Sequence, residues 1–422
     1  MLGKLKTLIS NPAVSNSAMV TASVFISSVF GYLLQFSLGR LLSVSDYGTF
    51  NALFAVMNIL TVPGLVLSTS LIKLISEHKV YNEFDKLTHL YYKLSLILFG
   101  TGVFISTVIF FGRFYLSSLL NITDASVIAA FGVYLSFIFV SIIPSAYLQG
   151  LSKFKVYSIA NIVTGCIKFT VPITLVLLGL HLHGAFLGLF LFSASSYLLG
   201  TLLLRGSFKA FSKESLSPLF RKLITFSLSV LMVNLGMSFL QNIDLIFVKS
   251  LFPAVEAGYY AGVVTVGKVF LYGAGTICVV MFPQIAEAFA KKEDYTQKFK
   301  TFFLLQLTVV LCGIAAFSLA PKFITVVLFG EKFLPVVNYL PLLSVFIGLY
   351  VLLNFMMMYF LAIGKTKVFV LQIPGVVLQI ILISLFHETL YQIIWDNILS
   401  VSLVFVSISG YYFSRLKFKK LL

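Results

Sequence analysis

Acidic side chains are scarce in this chain of 422 residues: Asp and Glu number 14 together, and all charged residues make up only 10%. A soluble chain of such length carries about a quarter charged residues to cover its surface, so a water-soluble globular protein is excluded. Cysteine is rarer still. Cys166, Cys278 and Cys312 each fall inside an apolar stretch, which gives neither a disulfide framework nor metal-ligand spacing. Long polar segments are missing too. No connection between apolar stretches exceeds roughly 20 residues, which leaves no room for a folded domain outside the bilayer.

What fills the chain instead is hydrophobic residue, 59% of the total, arranged in recurring runs of about 20, each long enough to cross a ~30 Å hydrocarbon layer. Spans are predicted at 17–42, 48–75, 91–112, 125–150, 156–179, 183–204, 223–247, 257–288, 301–320, 335–362, 368–387 and 393–414. The expected fold is therefore an all-α integral membrane protein with twelve transmembrane helices. Met1 to Asn16 is too polar and Pro-broken to be a signal peptide, so the first span is expected to stay uncleaved.

A formal net charge of +16 could serve nucleic acid, but the basic residues sort by side of the membrane. One side collects Lys4, Lys6, Lys73, Lys79, Lys86, Lys93, Lys153 and Lys155. It continues with Arg205, Lys209, Lys213, Arg221, Lys222, Lys291, Lys292, Lys298 and Lys300, then Lys365, Lys367, Arg415, Lys417, Lys419 and Lys420. The other receives only Arg40, Arg113, Lys249, Lys322 and Lys332. Excess Lys and Arg marks the cytoplasmic side, which puts both termini in the cytoplasm and leaves no surplus pointing to nucleic acid. Trp395, the single Trp, then falls at the outer end of the last span, at headgroup level.

The sequence also repeats itself. Asp46-Tyr47-Gly48 aligns with Glu256-Ala257-Gly258 at an offset of 210, and Ile75-Ser76-Glu77 with Ile285-Ala286-Glu287 at the same offset, as do Glu83 and Glu293. Tyr147 aligns with Tyr359, and Lys153, Lys155, Val156 and Tyr157 with Lys365, Lys367, Val368 and Phe369, at 212. Six spans is an even number, so the copies have the same orientation: two parallel six-helix bundles about a pseudo-two-fold axis, with substrate expected between them. Residues 1–204 form the first bundle, 205–222 a cytoplasmic linker and 223–422 the second.

Three motifs resemble a known family. Leu38-Gly39-Arg40-Leu41-Leu42, running into Asp46-Tyr47-Gly48, is similar to the first-loop signature of polysaccharide flippases in the MOP superfamily. Asn242-Ile243-Asp244 followed by Ala257-Gly258-Tyr259-Tyr260 resembles its seventh-to-eighth-span signature, and Gln149-Gly150 with Lys153 and Lys155 its fourth loop. The resemblance implies a MOP/MATE-like fold and a Wzx-like transporter of the bacterial inner membrane. Its cargo would be an O-antigen or capsule repeat on undecaprenyl pyrophosphate, a lipid-linked anionic glycan moved by alternating access. It implies a monomer among membrane lipids, served by no cofactor beyond H⁺ or Na⁺ as coupling ion, and working beside a glycan polymerase. Two rivals share the fold: a MATE-type cation or drug antiporter, and a flippase for lipid II or teichoic acid. An enzyme of the pathway is disfavoured, because the short outer loops carry no cluster of catalytic groups.

Ionisable residues inside a bilayer are costly and mark function. Lys168 and Lys268 both lie near mid-depth of their spans and are expected to face the lumen and hold the pyrophosphate. Arg40 and Lys249, at outer span ends, are weaker candidates for that role, equally readable as headgroup anchors. Asp244, with Asn234, Gln241 and Asn242 on the same helix, is the candidate for ion coupling. His181 and His183 fall in a short outer turn and are expected to be solvated. Pro63, Pro144, Pro172, Pro283, Pro341 and Pro374 interrupt spans and can kink them.

Overall fold

The computed structural model describes residues 12–209 and 217–421, and every regular element among them is helical. Lys4, Lys6 and Lys213 of the basic set lie outside the described residues. Eleven helical stretches among the described residues are long and apolar enough to cross a membrane. One of these, Phe154–Ser207, runs for 54 residues and holds two spans, so the twelve expected crossings are present. The protein is a multi-pass membrane protein.

Helix by helix, α1 spans Pro12–Leu41, α2 Val44–Val80, α3 Phe84–Leu119, α4 Ala125–Ile138, α5 Ile142–Gly150, α6 Phe154–Leu175 and α7 His181–Leu204. Then come α8 Ser217–Leu251, α9 Ala254–Ala290, α10 Thr296–Leu319, α11 Pro321–Phe329, α12 Leu340–Ala362, α13 Ile373–Leu385 and α14 Leu390–Leu421. The fourth span is broken between α4 and α5. Pro144 sits in the first turn of α5, where its missing N–H goes unneeded.

The reversal between α6 and α7 is compressed into a π turn, Val176–Leu180, in which Gly179 adopts φ +88° and His181 φ +42°. Gly179 takes that left-handed value without a Cβ clash. Beyond the turn the two helices touch through their backbones: a Cβ on Gly188 would lie 2.4 Å from the Cα of Pro172. The neighbouring His183 is not simply solvated as expected. Its Nε2 lies 2.6 Å from the Ser126 hydroxyl, whose partner Asp124 caps α4 by accepting from the Ser126 amide at 2.9 Å. Those Ser126 hydrogen bonds, aided by His183, hold the Asp124 carboxyl below the usual carboxylate range.

The chain packs into two compact units: residues 1–42 with 63–227, and residues 43–62 with 228–422. This differs from the expected halves, 1–204 and 223–422, chiefly in α2, whose first leg belongs to the second unit up to the residue before Pro63. Within that unit the reason is close backbone packing. A Cβ on Gly48 would fall 2.7 Å from the Cα of Gly258, and one on Gly258 only 1.9 Å from the Val44 carbonyl oxygen. Small residues permit this approach in membrane helices, where packing rather than hydrophobicity holds helices together. Around it Tyr47 is fully buried against the rings of Phe329 and Phe333, and the Thr265 hydroxyl donates to Asn51 at 3.3 Å.

The first unit is anchored at one end by a cluster of buried side chains. Leu71, Leu74 and Ile75 of α2, Leu87, Leu90 and Tyr91 of α3, and Ile143, Tyr147 and Leu148 of α5 pack together there. The Tyr147 hydroxyl is satisfied by donating to the Leu87 carbonyl at 2.9 Å, and its ring meets Tyr91 edge-on.

Candidate transport site

In the first unit the site is carried by α6. Tyr157, Asn161, Thr164 and Lys168 follow one another at spacings of four, three and four, so they share one face of the helix. The half-buried Lys168 ends against α1, its Nζ 3.5 Å from where a Cβ on Gly31 would stand. The same ammonium lies 5.8 Å from the centre of the Phe192 ring on α7. Among the described residues Lys168 makes no ion pair. One turn below, Gly165 brings α1 close enough that a Cβ would sit 3.0 Å from the Cα of Ser27.

Below Lys168 a narrow crevice opens between α5, α6 and α7. Ser145, Tyr157, Asn161, Thr164 and Ser196 line it, over a tight contact where a Cβ on Gly200 would meet Pro144 at 2.4 Å. It carries hydroxyls and an amide, and no carboxylate or ammonium.

The second unit places its lysine differently. Lys268 of α9 donates to the Asn242 side-chain oxygen at 3.4 Å, and Asn58 of α2 donates to the same oxygen at 3.3 Å. Lys268 also borders a crevice whose other walls are Gln241, Leu271, Phe346, Ile347 and Tyr350. Gln241 is held there by the Tyr350 hydroxyl, 3.4 Å away.

Asp244 is wholly enclosed. Its Oδ2 accepts from the Tyr260 hydroxyl at 2.6 Å and from the Asn397 amide at 3.0 Å, and its Oδ1 from the Leu245 backbone at 2.8 Å. Gln379 donates in turn to Asn397 at 2.7 Å. Beside Asn397, Asp396 is 5% exposed and its Oδ2 has no hydrogen-bond partner among the described residues. A buried carboxylate is tolerated only with such partners, or by taking up a cation.

The expected grouping of Asp244 with Asn234, Gln241 and Asn242 is therefore not what the structure assembles. Asn234 is turned onto its own helix, donating to the Val230 carbonyl at 2.8 Å, while Gln241 belongs to Tyr350 and Asn242 to Lys268. Gln241 lies one turn from Asp244 and Asn234 nearly three, yet each turns to another group, and the side-chain partners of Asp244 come from α9 and α14. Lys249 needs correction as well. It is 1% exposed and lies within electrostatic reach of Asp46, so its charge is packed inside the fold and offers no ligand-facing surface. Arg40 is exposed at the last turn of α1. Sequence reading missed Asn397, Gln379 and Asn58, and named Tyr260 only as part of a motif, with no role. It also passed over Asp396, which the rarity of acids within spans could have flagged.

A family described as polysaccharide biosynthesis protein matches residues 13–289, about two thirds of the chain. The chain belongs to the polysaccharide biosynthesis protein family. Among curated proteins none matches it significantly in sequence. Solved structures share its fold despite low identity. An inward-facing multidrug-resistance MATE transporter of the MOP superfamily matches with a TM-score of 0.72 at 15% identity, over 93% of this chain and 96% of that one. The lipid II flippase MurJ in an inward closed conformation matches with 0.68 at 14% identity, over 93% and 87%. A MOP superfamily transporter from Pyrococcus furiosus Vc1, described as having reversed binding-pocket polarity, matches with 0.54 at 15% identity, over 96% of each. This member of the polysaccharide biosynthesis family thus has the fold of MOP superfamily transporters.

Proposed function

We propose that the protein is a flippase for a pyrophosphate-linked glycan, carrying the lipid-anchored repeat from the cytoplasmic to the outer leaflet of a bacterial inner membrane by alternating access. The observation that carries this reading is Lys168: an ammonium in mid-span, without an ion pair among the described residues, above a crevice of neutral polar groups. An unpaired cation in hydrocarbon is costly, whereas one facing a watery cleft attracts phosphate and can release it again. Lys268 supplies a second cation in the other unit, and the basic residues gathered at one side put both termini in the cytoplasm. A drug antiporter exporting cations would want carboxylates around its cargo, and the crevice beside Lys168 has none.

The enclosed Asp244, with Tyr260, Asn397 and Gln379 around it, is suited to exchange a proton or Na⁺ during the cycle. We assign coupling to this group. The protein works as a monomer, beside a polymerase that takes its product. The test is surface glycan display in cells carrying Lys168→Ala at normal membrane levels. Loss of display with accumulation of lipid-linked oligosaccharide on the inner leaflet supports the assignment. Undiminished display, or energised export of a cationic dye by the wild type, overturns it.

A further inference from the structure

The crevice below Lys168 has unspent hydrogen-bonding capacity. Among the described residues, the side chains of Ser145, Tyr157, Asn161 and Ser196 bond to no other protein group, although each lines this crevice. Thr164, by contrast, returns its hydroxyl to the Asn161 carbonyl at 3.3 Å. Elsewhere in the same unit the buried Tyr91 and Tyr147 hydroxyls close on Thr201 and Leu87, while those of Ser95 and Ser158 have no partner among the described residues but stand singly, outside any such group. Three hydroxyls and an amide left open in one place within a membrane span are stable only against water or a polar ligand.

The crevice is also uncharged and narrow. An anion would find no counter-charge in it and an organic cation no carboxylate. Its floor admits groups of water size, such as a hydroxyl or hydroxymethyl, and not a whole ring. Asn161 precedes Lys168 by seven residues, about 10 Å along the helix, which spans a phosphate and an adjoining hexose.

We propose that this crevice between α5, α6 and α7 is a sugar subsite: Ser145, Tyr157, Asn161 and Ser196 bond to hydroxyls of the cargo's first hexose while Lys168 holds the neighbouring phosphate. The subsite reads the glycan; the lysine reads the lipid phosphate. This rests on the flippase reading above and adds to it where the sugar is recognised.

The experiment uses the purified full-length protein and two ligands: lipid-linked oligosaccharide extracted from the source cells, and bare polyprenyl pyrophosphate. Each lost hydrogen bond to a sugar hydroxyl corresponds to roughly tenfold in affinity. Asn161→Leu and Ser196→Val are each expected to weaken binding of the glycan-bearing lipid by about that factor and leave the bare pyrophosphate lipid unaffected. Lys168→Ala is expected to weaken both alike. Asn161→Gln and Ser196→Thr, which keep the polar groups, should retain most of the preference, and they decide the matter if the apolar variants fail to fold. Equal wild-type affinity for the two ligands, or subsite variants that weaken both equally, overturns the sugar subsite alone. Failure of the wild type to bind either ligand removes the flippase reading itself.

Discussion

The two units solve the same problem, a lysine in mid-membrane, in opposite ways. Lys168 in the first stands over a glycine and an aromatic ring with no ion pair among the described residues, and the polar groups beneath it are open. Lys268 in the second is tied through Asn242 to Asn58, and it shares its unit with the enclosed Asp244 network. The mid-span lysine of one unit has no ion pair among the described residues, and that of the other is bonded to a side-chain amide. The contrast fits the roles proposed above, cargo recognition in the first unit and ion coupling in the second.

The sharpest way to break that contrast is to remove each lysine in turn. A charge-assisted contact to phosphate is worth about 1.5–3 kcal/mol, so Lys168→Ala should reduce glycan display by roughly tenfold or more. Because Lys168 has no ion pair among the described residues, the thermal stability of the purified variant should stay near wild type. Lys268→Ala should reduce display less and lower the melting temperature, since it strips a donor from Asn242. Equal losses of function and stability in both variants would erase the distinction.

The second unit is probed at Asp244. Substitution by Leu orphans the Tyr260 hydroxyl proton, at about 1–3 kcal/mol, and leaves the Asn397 amide only its 3.1 Å bond to the Tyr260 oxygen, so it should destabilise the protein. Asp244→Asn keeps the shape and an acceptor, so it should fold and still bind lipid-linked glycan while losing its response to proton and sodium gradients. Transport by that variant that follows the gradient as in wild type would remove coupling from this residue.

How much of this was readable beforehand differs between the fold and the site. The spans were legible because hydropathy is a sum over about 20 residues and tolerates local error. Lys168, Lys268 and Asp244 stood out because an ionisable side chain within such a run is rare. Their surroundings did not. Asn397 lies 153 residues from Asp244 along the chain, and Gln379 and Tyr260 are neutral groups with no periodic signature, so only tertiary packing brings them together. For the same reason Asn234 and Asn242, close to Asp244 in sequence, turn to other partners. The allotment of residues 43–62 to the second unit likewise follows from the meeting of Gly48 and Gly258, a contact that hydropathy does not encode.

Backbone contact gives a third comparison, of intermediate size. Gly258 in the second unit and Gly188 in the first each press against backbone, with Cβ positions 1.9 Å from the Val44 oxygen and 2.4 Å from the Pro172 Cα. Alanine at either should cost about 1–3 kcal/mol through forced displacement of a helix, the larger loss falling at Gly258. Gly275, with nothing within 4 Å of its missing Cβ, should accept alanine without loss. Melting temperatures of the three variants in one detergent check the order, and a fall at Gly275 matching that at Gly258 would count against packing as the cause.

The smallest expected difference concerns the repeat-related pair Glu83 and Glu293, in the turns after α2 and α9. Glu83 is bonded by Lys86 at 2.7 Å and by His78, whereas Glu293 has Lys298 at 3.8 Å. The Lys86 and then the His78 hydrogen bonds hold the Glu83 carboxyl below its ordinary value. A carboxyl lowered by folding adds stability above its unfolded-state pKa, and that contribution fades as pH falls through the lowered folded-state value. At pH 7 Glu83→Gln should therefore lower stability by roughly 0.2–1 kcal/mol, the range of surface ion pairs, and Glu293→Gln by less. Repeating the melts under acid conditions, where wild-type Glu83 is itself protonated, should close the gap between Glu83→Gln and wild type. A gap that persists unchanged in acid would assign the effect to shape at the turn instead of to charge.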